Sequence, residues 1–257
     1  MNIENLGVGK RCEEALRLLV RADSDGQIPA PISRLLLLPI PTSRDKVHLS
    51  GRSEFLSDVY DGVRKGDAVA GYGIDGQSLE KMTSRGALVY DALRDEEFLA
   101  ENSRLTALGA LGYLLTKTDR SPTDTVYAIV GYGRIGARLA RMLLYLGGRV
   151  KVYTRRKETL LELCECGVEA HLFNNELKFE KGCCDLLINT APTDLSFAFP
   201  EQRLPSGMRA IELASGDNFK EIPDVERLPS IPDKQYGSSA GRAYYNGIIR
   251  FITEATK

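Results

Sequence analysis

The chain has 257 residues, 43% of them apolar and 27% charged, with no Trp. That is enough for one large α/β domain or two modest ones with real cores. A formal net charge of −1, with Lys and Arg spread along the chain, excludes a global field that would draw in nucleic acid or an anionic membrane. Apolar runs such as Leu35-Leu36-Leu37-Leu38 are far too short to span a bilayer. Met1-Asn2-Ile3-Glu4-Asn5 lacks the basic-then-apolar order of a signal peptide, so a cytoplasmic protein is expected. The five cysteines (Cys12, Cys164, Cys166, Cys183 and Cys184) are odd in number and fit no common zinc spacing. They are read as free thiols, with no metal site.

In chain order, an amphipathic helix is expected around Arg11 to Arg21. Short apolar runs follow at Arg34 to Leu38, Ala68 to Tyr72 and Ala87 to Tyr90, separated by helical stretches at Ser53 to Arg64 and Gln77 to Ser84. Strands alternating with helices pair in parallel through crossovers. Asp95 to Thr116 carries a leucine stripe (Leu105, Leu108, Leu111, Leu114, Leu115), read either as a connecting helix or as a simple core helix. Lys117 to Asp124, with Pro122, interrupts it.

The alternation is then clearer. Strands are predicted at Val126 to Val130, Arg149 to Tyr153, Val168 to Leu172, Asp185 to Asn189 and Arg209 to Leu213. Helices are predicted at Ile135 to Leu146, Lys157 to Glu165 and, after a Pro-rich loop, Ser238 to Thr253. The pattern predicts an α/β fold: a Rossmann-type doubly wound parallel sheet over 105–237 and a second, smaller α/β lobe over 1–104. The last helix, within 238–257, is expected to pack back on the smaller lobe.

Gly131-Tyr132-Gly133-Arg134-Ile135-Gly136 fits G-x-G-x-x-G. The pattern gains force because it follows an apolar strand directly and opens a helix. The first glycine serves the turn, the second lets a pyrophosphate approach the backbone, and the third lets helix and strand pack closely. Free N–H groups at the helix start then face the phosphates. At the end of the second strand, an NAD site usually places Asp or Glu on the ribose hydroxyls. Here stand Thr154, Arg155 and Arg156, a hydroxyl and two guanidiniums that suit a 2′-phosphate. NADP is the expected cofactor, with NAD the alternative. Bland readings compete: a structural glycine turn, and solvated arginines at a helix start.

Several ordered segments carry a resemblance. They are Val89-Tyr90-Asp91-Ala92-Leu93, Thr106-Ala107-Leu108-Gly109-Ala110, the glycine loop, Ile188-Asn189-Thr190-Ala191-Pro192, Glu212-Leu213-Ala214-Ser215, and Leu228-Pro229-Ser230-Ile231-Pro232 followed by Ala240-Gly241. Together they resemble the A-subunit family of dipicolinate synthase, a group of bacterial sporulation oxidoreductases, and more loosely the 2-hydroxyacid and shikimate dehydrogenases. The resemblance implies a nicotinamide cofactor, a small carboxylated (dihydrodipicolinate-like) substrate between two lobes, and a partner, the flavoprotein B subunit. Two departures stand out. Leu108 replaces a Glu of the family pattern, and Met1 to Gly9 reads as too polar and short for the family's first strand and glycine-rich turn.

Open parallel sheets bind ligands beyond their C-terminal strand ends. Asn189, Thr190 and Pro192 at one such end are candidates for the nicotinamide edge. Ser215, at another, is a candidate for substrate contact or catalysis. From the smaller lobe, the loop after Leu38 offers Ser43 and Arg44 as substrate-binding candidates, Arg44 for a carboxylate, and His48 as a weak general acid–base candidate. Surface roles are equally open for Arg44 and His48. No His–carboxylate dyad of the hydroxyacid dehydrogenase kind stands out, and Ser238 is read as the N-cap of the last helix. The leading expectation is an NADP-linked oxidoreductase acting on a small-molecule substrate. The alternative is a catalytically degenerate NAD(P)-binding regulatory or partner-binding protein. A homo-oligomer is left open.

Overall fold

The computed structural model describes residues 1–29 and 32–257. The chain divides into two compact units: Met1–Asn102 with Pro232–Lys257, and Ser103–Ile231.

Unit 1 holds a four-stranded parallel sheet in the order β1 (Asn2–Asn5), β2 (Arg34–Leu37), β3 (Asp67–Gly71), β4 (Leu88–Asp91). Helix α1 (Lys10–Ser24) links the first two strands, α2 (Leu56–Asp61) the next two, and α3 (Gly76–Ser84) the last two. The strict alternation of a strand divides the leucine run between two cores. Leu35 and Leu37 meet Ala15 and Leu19 of α1 and Tyr244 and Ile248 of the last helix, α7 (Ile231–Ala255). Leu36 and Leu38 meet Tyr60 of α2 and Met82 of α3. The chain steps across the sheet in one direction while α1 and α2 cover opposite faces. The β1–α1–β2 crossover therefore has the opposite hand to the two that follow, against the strong right-handed preference of such units.

Three expectations are corrected here. The first strand is present: Asn2 to Asn5 pairs in register with Arg34 to Leu37, and Gly7-Val8-Gly9 turns it into α1. Its sequence hides it because it is an edge strand, partly exposed, and an edge needs no continuous apolar run. Helix α2 is shorter than expected, because Ser53 and Glu54 belong to the preceding turn, where the Glu54 carbonyl accepts from Leu49 N at 3.0 Å. The last helical run starts earlier, at Ile231, but is two helices joined at a kink at Tyr236 (φ −130°, ψ 40°), so the second begins within two residues of the expected Ser238. Pro232 sits in the first turn of the short leading helix, where a missing N–H costs nothing, and Tyr236 rather than Ser238 takes the non-helical position ahead of the second helix.

Unit 2 is a six-stranded parallel sheet in the order β10-β9-β8-β5-β6-β7. The strands are β5 (Val126–Val130), β6 (Arg149–Thr154), β7 (Glu169–Leu172), β8 (Leu186–Asn189), β9 (Arg209–Glu212) and β10 (Val225–Arg227). The order reverses between β5 and β8, which is the Rossmann arrangement with its switch point beside the first strand. Ala107, Ala110 and Leu114 of α4 (Glu96–Leu114) join Leu139 and Leu143 of α5 (Arg134–Tyr145) and Leu163 of α6 (Lys157–Glu165) on one face. The other face is covered by Phe179, Leu195, Phe199, Phe219 and Ile222 from connecting segments. Among the described residues no helix is long and apolar enough to cross a membrane, and no group of His, Cys, Asp and Glu is arranged to hold a metal ion.

Candidate functional site

The glycine loop leaves β5 at the switch point. Gly131 has φ +92°, and a Cβ there would stand 2.9 Å from both the Ala191 Cβ and the Thr190 hydroxyl. A side chain is barred by backbone conformation and by space together. Its N–H donates to the Tyr153 carbonyl at 2.8 Å, tying the loop to β6. Gly136, buried in the first turn of α5, packs against the Gly131 carbonyl with no room for a Cβ, and the Thr190 hydroxyl would lie 2.7 Å from one. Gly133 differs: it is exposed, forms the N-cap of α5 with no side-chain cap, and nothing lies within 4 Å of where a Cβ would be. The first and third glycines are thus fixed by packing, and the second is open to solvent. That geometry fits a pyrophosphate at the helix N-terminus. Arg134 is exposed beside it, while Tyr132 and Ile135 are half-buried against the core.

At the end of β6, Thr154 is buried and its Oγ1 accepts from Arg156 N at 3.2 Å. Arg155 and Arg156 are exposed. Arg156 Nη2 donates to the Tyr132 carbonyl at 3.1 Å, which brings its guanidinium onto the glycine loop.

The ends of β8 and β9 are joined by a buried polar network. Asn189 is fully buried; its Nδ2 donates to both carboxylate oxygens of Glu212, at 3.0 and 3.2 Å, and its Oδ1 accepts from Ala191 N at 3.1 Å. Glu212 also accepts from Ala214 N at 2.9 Å. Burial pushes the Glu212 carboxyl above the usual range, and bonds from Asn189 oppose that shift. The Asn189 side chain therefore shapes the strand end rather than reaching a ligand. Thr190 Oγ1 lies 3.0 Å from the Val130 carbonyl and 3.1 Å from that of Gly131, clamping β8 to the loop. Pro192 and Ser215 are exposed beyond the two strand ends.

In unit 1, Arg44, Asp45, His48, Ser50, Arg52 and Glu54 line a cavity of about 620 Å³ after β2. His48 Nδ1 is 2.8 Å from Asp45 Oδ2, and its ring lies 4.7 Å from that of Phe55. Asp45 Oδ1 accepts from the backbone N–H groups of Val47 and His48, both at 2.8 Å. The His48 backbone bond, then its side chain and the Val47 amide, hold the Asp45 carboxyl well below the usual range. The pair is local to one turn, its members three residues apart in sequence. Ser43 is spent on the turn: its Oγ accepts from Lys46 N at 2.9 Å and contacts Asp45 Oδ1 at 3.1 Å.

Known proteins share this architecture. The A subunit of dipicolinate synthase from Bacillus subtilis (strain 168) is 26% identical over 190 residues, which cover 71% of this chain and 64% of that protein. A crystal structure of the dipicolinate synthase A chain from Bacillus subtilis superposes with a TM-score of 0.72 at 20% identity, covering 100% of this chain and 97% of the other. The chain is a relative of the dipicolinate synthase A subunit. A crystal structure of the corresponding protein from Bacillus halodurans gives a TM-score of 0.70 at 22% identity, over 98% of this chain and 97% of that one. The curated match spans less than two thirds of that relative's length. No family model matches. Sequence and fold together give an oxidoreductase-type NAD(P)-binding architecture.

Two members of these sites are hard to find from sequence. Asp45 stands three residues before His48, a spacing that a loop renders visible only once the turn is known. Glu212 falls within a motif, but its partner Asn189 lies on a neighbouring strand 23 residues away.

Proposed function

We propose that the chain is an NADP-linked oxidoreductase acting on a small carboxylated, dihydrodipicolinate-like substrate. Gly131, Gly133 and Gly136 would hold the pyrophosphate, with the backbone of Tyr132, Arg134 and Ile135 completing the cradle. Thr154, Arg155 and Arg156 would hold the 2′-phosphate. The observation that carries the cofactor choice is Arg156 on the Tyr132 carbonyl. It brings a guanidinium to the glycine loop, where an NAD site would present a carboxylate to the ribose.

The cofactor supplies the hydride chemistry when bound. The protein's share is position and charge. Thr190 and Pro192 would flank the nicotinamide edge, with Asn189 and Glu212 fixing the strand ends behind them. Arg44, Ser215 and Ser43 remain the substrate-side candidates. His48, oriented by Asp45, is the candidate for moving a proton. Flavoprotein B as partner, a sporulation context and a cytoplasmic location follow from the family alone and belong to the same proposal.

A second reading is favoured by Leu108, half-buried on α4 where the family pattern has Glu. In that reading the chain binds NAD(P) without turnover and serves a regulatory or partner-binding role. Titrating NADP and NAD into the protein, then following hydride exchange with a dihydrodipicolinate-type substrate with and without a flavoprotein B partner, tests both. Binding with exchange supports the enzyme, and binding without it supports the second reading. Failure to bind either nucleotide would sink both.

A further inference from the structure

The turn that opens α1 carries a cation that the proposed function leaves unused. Arg11 follows Gly7-Val8-Gly9 and is only 5% exposed. Its Nη2 donates to Asn102 Oδ1 at 2.9 Å, while Nε is buried with no hydrogen-bond partner. Among the described residues no carboxylate pairs with the guanidinium. Asp233 spends Oδ1 on the Arg11 backbone N–H at 2.8 Å instead. Burial drives the Arg11 pKa down, with Asp233 opposing the shift.

A buried guanidinium with no carboxylate at ion-pairing distance is costly, and an apolar residue of similar volume would serve a purely structural core better. Its surroundings are aromatic. The guanidinium carbon lies 5.9 Å from the centre of the Phe98 ring. Tyr72 and Tyr244 stand 6.2 and 6.0 Å from the same ring, centre to centre. The position is also where open parallel sheets take ligands. Gly7 follows β1, Tyr72 follows β3, and the Tyr244 hydroxyl donates at 3.4 Å to Leu38, just past β2.

We propose that Arg11 anchors the carboxylate of a small planar acid at the C-terminal ends of β1 to β3, with Phe98 and Tyr72 flanking the ring. A planar fork matches a carboxylate bidentately, and aromatic walls suit a flat substrate. The assignment rests on the reading of the chain as acting on a carboxylated substrate, and supplies the residue that would recognise it.

The test titrates pyridine-2,6-dicarboxylate by calorimetry into the full chain with NADP present, comparing wild type, Arg11→Gln, Arg11→Lys and the exposed control Arg17→Gln. Loss of a charge-assisted bidentate pair is expected to weaken the probe by about thirtyfold in Arg11→Gln and about tenfold in Arg11→Lys. Arg17→Gln should match wild type, and NADP affinity should be unchanged in all three. Probe affinity unaltered in Arg11→Gln, or no binding of the probe to wild type, would overturn the assignment. Should Arg11→Gln fail to fold, the wild-type protein decides. The Arg11 Nε resonance, assigned through Arg11→Lys, must move when the probe is added, and a stationary resonance rejects the proposal. Loss of NADP binding by wild type would instead count against the oxidoreductase reading itself.

Discussion

The candidate sites at the C-terminal strand ends of the two units are built in opposite ways. In unit 2 the glycine loop presents backbone: Gly133 is open, and its neighbours Gly131 and Gly136 are locked by Thr190 and Ala191. In unit 1 the candidate groups are side chains, with His48 on Asp45 and Arg11 on Asn102. A backbone cradle tolerates almost no substitution at its packed glycines, whereas a side-chain site can change partners while its fold persists.

The largest expected effect tests the locked half of that contrast. Gly136→Val would drive its side chain into the Gly131 carbonyl and the Thr190 hydroxyl. It should destabilise unit 2 by about 3 kcal/mol and abolish nucleotide binding, read by thermal unfolding and NADP titration. A variant that folds and binds normally would show that the packing is not essential. Next, Arg155→Asp combined with Arg156→Ala should weaken NADP by about thirtyfold while leaving NAD affinity within about threefold. Equal losses for both nucleotides would remove the 2′-phosphate from the site.

Smaller effects sharpen the comparison. The buried Glu212 carboxyl has a raised pKa in the folded chain, so the native state holds its proton at a pH where the unfolded chain has released it. Stability from this group is complete below the ordinary Glu range and declines as pH rises through the folded value. As pH rises above the ordinary Glu range, wild type should therefore lose stability relative to Glu212→Gln, as read from denaturant midpoints. A relative gain by wild type over that range would refute the direction of the shift. Smallest of all, Asp45→Asn should loosen only its own turn. The amides of Val47 and His48 should exchange faster, with no change in global melting temperature, as measured by hydrogen exchange. A fall in melting temperature would instead make the turn part of the cooperative core.

Much of unit 2 is legible in the sequence because its signals are local. The β5 strand, the glycine loop and the start of α5 are contiguous, so periodicity and three glycines suffice to place them. The order β10-β9-β8-β5-β6-β7 confirms the Rossmann-type expectation. In unit 1 the apolar runs mark β2 to β4, but β1 is hidden by its polar edge, and Pro232 reads as loop where it begins a helix. The same local logic makes Ser238 a cap, while the non-helical residue ahead of the second helix is Tyr236, two positions earlier.

Local sequence thus determined the nucleotide loop, the alternation of strands and helices, and the absence of a carboxylate at the end of β6, because each depends on residues adjacent in the chain. Tertiary structure decided which side chains meet. Asn189 finds Glu212 across two parallel strands, and Arg156 reaches back 24 residues to the Tyr132 carbonyl. Arg11 is buried on Asn102 with its Nε unpartnered because α1 and the segment ending at Asn102 meet around it. Those pairings depend on strand order and crossover hand, which no short stretch of sequence encodes.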